Sequence, residues 1–151
     1  MPPAANVIED PFLSAFRGSF SGVLSWEDLD AFWAVVRNNA AAGWYVYAIG
    51  EAPPAAPSTA EQVNTFLSEI DVLLRREHQE DYCGIVYTDN KPNPSMIKIF
   101  DPNNLGVQCG FSDNPPLPGW VMSRLPPVTL DSGDQRPEGR KRWWQRLWNV
   151  K

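Results

Sequence analysis

Groups able to do redox, metal or nucleophilic chemistry are scarce in this chain. Two cysteines, Cys83 and Cys109, and one histidine, His78, are all that 151 residues offer. There is no Cys-x-x-Cys, so a dithiol redox centre is excluded. A structural zinc site would have to draw on His78, Cys83 and Cys109, whose spacing is not that of a zinc module. No phosphate loop and no EF-hand loop is present, and no metal or cofactor is expected. Any Ser/His/Asp or Cys/His mechanism would run through His78 alone. No apolar run approaches the roughly 18 residues of a spanning helix. The first residues lack the basic and apolar regions of an export signal. The expectation is a cytoplasmic protein with two reduced thiols.

Charge is present but segregated. Net charge is −5. Residues 140–151 hold five bases (Arg140, Lys141, Arg142, Arg146, Lys151) and no acid. The other 139 residues hold 8 bases and all 18 acids, a balance of −10. A body this acidic is a poor partner for phosphate backbones, so nucleic acid is not an expected ligand.

The chain punctuates itself with caps and prolines. Asp10-Pro11 marks a short helix that ends near Gly18. Ser25 stands three residues before Asp28, and Leu29, Phe32, Trp33 and Val36 then repeat at helical spacing. The run Trp44–Ile49 is aromatic and β-branched, which predicts a central strand. Ser58 and Thr59 open a long helix over about 60–77, with Val63, Phe66, Leu67, Ile70 and Leu74 on one face. Antiparallel strands are expected over Cys83–Asp89, with Lys98 marking the solvent side of a second at Met96–Asp101. Further strands are expected at Leu105–Phe111 and Trp120–Leu125. The fold class expected is α+β: a two-layer antiparallel sheet of about four to five strands with helices on one face. Residues 1–10 are expected to be disordered, 11–127 to form the globular domain, 128–139 a flexible linker, and 140–151 a basic amphipathic segment.

The candidate catalytic residues are His78, Cys83, Cys109 and Asp101, none of them in a recognisable catalytic pattern. Alternation puts both thiols on apolar strand faces, where cysteine behaves as a small hydrophobe. His78 lies at a helix end among Glu77, Glu80 and Asp81, an acidic patch suited to a basic partner. The proline-stiffened loop before Trp120 carries Leu117 and Trp120 and is a candidate contact surface. The tail is the strongest signal. On a helical wheel Trp143, Trp144, Leu147, Trp148 and Val150 share a sector about 160° wide, opposite Arg142 and Arg146. Such a segment can fold back on its own body, enter a groove on another protein, or lie on an anionic membrane. Single-stranded nucleic acid is a weaker fit.

These features point to a non-catalytic accessory or adaptor protein. It would contact another protein through its acidic body and a second surface through the tail. The competing expectations are a small thiol- or carboxylate-based enzyme with a cleft at the sheet end, and an immunity-type protein that neutralises a basic partner.

Overall fold

The computed structural model describes residues 10–81, 83–102, 117–130 and 138–148. Helix formation follows the caps. Asp10 accepts a hydrogen bond from the Phe12 amide at 2.8 Å and starts α1 (Pro11–Phe16). Ser25 does the same for Asp28 at 2.9 Å and starts α2 (Trp26–Asn38). Thr59 and Gln62 form a reciprocal capping box on α3 (Ala60–Glu77), satisfying two amides that have no partner within the helix. Past α2, Gly43 turns the chain at a φ of 96°, a region costly for any side chain.

Among the described residues a five-stranded antiparallel sheet runs in the order β1-β3-β4-β5-β2. Its strands are β1 (Ser21–Val23), β2 (Tyr45–Ala48), β3 (Val86–Thr88), β4 (Met96–Ile99) and β5 (Trp120–Ser123). The pairs Val86–Ile99, Ile97–Met122 and Val46–Met122 fix one face. The pairs Tyr87–Lys98 and Lys98–Val121 fix the other. On the first face α2, α3 and α4 (Glu138–Trp148) cover a core that includes Trp33, Trp44, Phe66, Ile70, Ile97 and Met122. On the second, α1 and the stretch 117–130 cover Tyr47, Met96 and Val121. The α+β architecture expected from the sequence is therefore present.

Three local expectations change. Among the described residues the Trp44–Ile49 run is an edge strand, paired only with β5. It is apolar throughout because both its faces are buried: Val46 and Ala48 in one core, Tyr47 and Ile49 in the other. The outer side of the strand is met by the proline-rich connection, whose Ser58 amide donates to the Trp44 carbonyl at 2.7 Å. Next, Lys98 does not mark a solvated face. Its Nζ lies 4.2 and 4.0 Å from the ring centres of Phe16 and Phe20, and burial pulls its pKa below the usual lysine value. The strand β1 is the third change. Its three residues are too few for periodicity to show, and tertiary pairing with β3 makes it a strand.

The span 128–139 begins as part of the packed body. Val128 and Leu130 lie against the second core, and the Leu130 amide donates to the Tyr47 hydroxyl at 2.9 Å. That hydroxyl titrates above its ordinary value because burial outweighs the Leu130 contact. The expected strand Leu105–Phe111 and the thiol of Cys109 lie outside the described residues.

The core makes a direct stability prediction. Ile70 is fully buried on α3, so Ile70→Ala should cost about 2–5 kcal/mol. Urea unfolding should show a lower midpoint at unchanged slope.

Candidate functional site

The site worth building is where α4 meets the body. On a wheel of 3.6 residues per turn, Arg140 falls inside the apolar sector, between Leu147 and Trp144. It therefore faces the protein, and the protein supplies two acids. Asp101 follows β4 and is buried. Glu77 is the last residue of α3. Arg140 donates from Nε and Nη2 to the Asp101 carboxylate at 2.8 and 2.9 Å. From Nη1 and Nη2 it donates to the Glu77 carboxylate at 3.1 and 2.6 Å. Each contact is the two-pronged arrangement that suits a planar guanidinium. Gly119 lets the chain pass close to this carboxylate: a Cβ at this position would lie 3.1 Å from the Asp101 Cβ, so Asp101 would have to give way slightly.

The electrostatics agree with the geometry. The hydrogen bonds from Arg140 hold the Glu77 carboxyl below its ordinary value, against the opposing effect of burial. Burial disfavours the Arg140 cation, but the bonds to Asp101 and Glu77 outweigh it and hold the group still more firmly protonated. Arg140 also stands 6.0 Å from the ring centre of Trp120.

Aromatic packing extends the contact along α4. Trp143 meets Trp120 edge to face at 5.7 Å, and Trp144 meets Phe66 at 6.2 Å. Trp148 packs on Trp144 at 5.2 Å. Leu147 is buried in the same core. Beside them a groove of about 230 Å³ runs between α4 and the proline-rich connection, lined by Val46, Pro54, Pro57, Gln62, Trp144 and Trp148. The Trp148 Nε1 is buried with no acceptor among the described residues. Arg142, Gln145 and Arg146 point away, exposed.

The partner-binding residues expected from the sequence are thus redistributed. Trp143, Trp144, Leu147 and Trp148 face the body, which offers them Phe66, Trp120 and two carboxylates. Leu117 packs on the second core, and Trp120 sits in the first, where the strand pairing of β5 turns it inward. Glu77 is taken up by Arg140. Glu80 and Asp81 are exposed just past α3, next to the start of α2, where the Trp26 indole donates to the Glu80 carbonyl at 2.9 Å. Arg140 was missed by composition, which groups it with the other bases. Its wheel position is the signal that finds it.

The described catalytic candidates, His78, Cys83 and Asp101, have different surroundings. His78 caps α3, with its ring 6.1 Å from that of Trp26. Cys83 is fully buried, and burial pushes its thiol pKa up, which suppresses the reactive thiolate. Asp101 is committed to Arg140. No group of three or more His, Cys, Asp or Glu among the described residues is arranged to hold a metal ion. No helix among them is long and apolar enough to cross a membrane. No family model, no curated protein and no solved structure matches the chain.

Removing Arg140 strands a buried carboxylate. Arg140→Met should cost about 3–5 kcal/mol, and adding Asp101→Asn should recover part of it, as a double-mutant cycle by chemical denaturation would show. The Glu77 pKa is depressed in the folded state, so its contribution is complete above the ordinary glutamate value of about 4.3. It is lost as pH falls through the lower folded value. Near-ultraviolet circular dichroism of the tryptophans should follow that loss, and Glu77→Gln should flatten this acid limb. In a Cys109→Ser background, Cys83 should resist maleimide under native conditions and label fully in denaturant.

Proposed function

We propose that this chain is a non-catalytic accessory protein, an adaptor that holds a protein partner on its acidic body and carries a second contact element in α4. The observation that carries this reading is the way charge is distributed on the folded chain. The one base of α4 that lies in the apolar sector is consumed by Glu77 and Asp101, while Arg142 and Arg146 remain outward. Away from α4 the balance stays strongly negative. Glu27 and Asp28 in the first turn of α2 lie exposed near Glu80 and Asp81, brought together by the Trp26–Glu80 hydrogen bond. A surface of this kind steers a basic protein by long-range attraction and orients it by short-range pairing.

A chemical role for the described candidates is less well supported. The one described thiol is sealed in the core and Asp101 is neutralised by a guanidinium, so neither offers a poised nucleophile or base.

The test is affinity capture from the source cell at low ionic strength. Bait carrying Glu27→Gln, Asp28→Asn, Glu80→Gln and Asp81→Asn should lose a basic partner that wild type retains. Capture by wild type should also fall steeply with added salt, because attraction between exposed charges is screened. Equal recovery by both baits would refute the acidic-face reading.

A further inference from the structure

We infer that the outer edge of β1 is the docking strand for an extended, basic segment of the partner protein, which joins the sheet there beside Ser21–Val23. This rests on the acidic-face reading and gives the form in which the partner is held.

The two edges of the sheet differ. At β2 the Ser58 amide bonds to the outer side of the strand. At the other edge β1 pairs with β3, and the chain entering β3 donates from Gly84 and Cys83 to the Val23 and Leu24 carbonyls at 3.1 and 2.7 Å. Those bonds all come from the β3 side. Among the described residues no other group is hydrogen-bonded to Ser21–Val23. An edge strand turns alternate N–H and C=O groups outward, where an extended segment pairs with them. Residues 19–24 hold no proline or lysine, side chains that commonly close such an edge.

The surroundings select the occupant. Leu24 follows β1 with 61% of its surface exposed. Gly22 has no side chain, and Leu24 and Tyr87 stand 3.3 and 3.1 Å from the place its Cβ would take. Together they offer an apolar ledge to a side chain on a neighbouring strand. Glu27 and Asp28 lie in the first turn of α2, just past Leu24. The bonds from Cys83 and Gly84, and that from Trp26 to Glu80, bring Glu80 and Asp81 alongside. All four acids are exposed, and among the described residues none is ion-paired. An open edge with an apolar ledge and unpaired acids at its end fits a strand that carries lysine or arginine beside apolar residues: the main chain supplies the hold, and charge the selection. A second copy is the poorer occupant, because two chains of net charge −5 repel.

The experiment titrates the full chain at low salt with a fluorescent peptide of alternating valine and threonine flanked by lysines. A twin peptide carries N-methyl groups on two adjacent central residues, so that neither of its edges can pair while charge and side chains are kept. Fluorescence anisotropy should show binding of the first, and binding of the twin weaker by about tenfold or more, the scale of one or two lost backbone hydrogen bonds. Hydrogen exchange should slow over residues 21–24 when the first peptide is bound. Leu24→Ala, at an exposed site and without change of charge, should weaken binding about fivefold, the scale of one cross-strand pair. Far-ultraviolet circular dichroism checks that this variant is folded. No binding of the first peptide, equal binding of the methylated twin, or unchanged exchange over residues 21–24 overturns the inference. Dimers of the wild type that Leu24→Ala abolishes would give the edge to a second copy and overturn it too. The two readings fail separately. If neutralising the four acids abolishes capture from cells while the methylated twin binds undiminished, the acidic face stands and only strand addition falls.

Discussion

The guanidinium of Arg140 is the joint on which this structure turns. It receives Asp101 from the end of the sheet and Glu77 from the end of α3, and it belongs to α4. Three elements far apart in sequence are thereby fixed to one planar group. The buried Asp101 carboxylate would be stranded without it, and α4, at 11 residues, is too short to be stably helical on its own. Folding of the helix and neutralisation of the acids are one event.

That coupling explains how a chain with separated charge holds together. Repulsion within the acidic body is relieved where Arg140 enters, and the relief is local and buried, hence little affected by salt. Arg142 and Arg146 lie on the solvent side. Inside the body, Arg75 plays a related part at the surface. It bridges Asp71 and Asp30 and lies over the Trp26 ring at 4.9 Å, joining α2 to α3 where the acidic edge begins. Asp89 is a quieter case. Its carboxylate is partly buried, which alone would raise its pKa, but bonds from Ser95, Met96 and Thr88 take it down and close the turn between β3 and β4.

Much of this fold is written locally. The caps Asp10, Ser25 and Thr59 and the apolar spacing of α2 and α3 can be read residue by residue, because a helix satisfies its own backbone. The sheet is different. Whether Trp44–Ile49 is central or at an edge depends on which strands come later in the chain and pair with it, and a continuous apolar run signals only that both faces are buried. The fate of Lys98 also depends on a distant element, since Phe16 at the end of α1 and Phe20 just after it reach across to it. The tail was legible as an amphipathic helix, but the surface it covers was not. Phe66, Trp120, Glu77 and Asp101 meet only once the sheet and α3 are in place. The direction of Trp120 is likewise set by strand pairing, which a reading of the neighbouring prolines does not show.

The chain passes from one side of the sheet to the other on its way to α4. Val128 and Leu130 rest on the Tyr47 side, and α4 rests on the Phe66 side. Seven residues separate Leu130 from Glu138 in the sequence. Because the helix is covalently joined to the body, it meets its seat at an effective concentration on the order of millimolar. A loose peptide of the same sequence would have to exceed that level to take the seat, so rivals in solution are excluded by mass action alone. A partner that captures the helix itself is not bound by that threshold, because it competes for α4 and leaves the vacated surface aside.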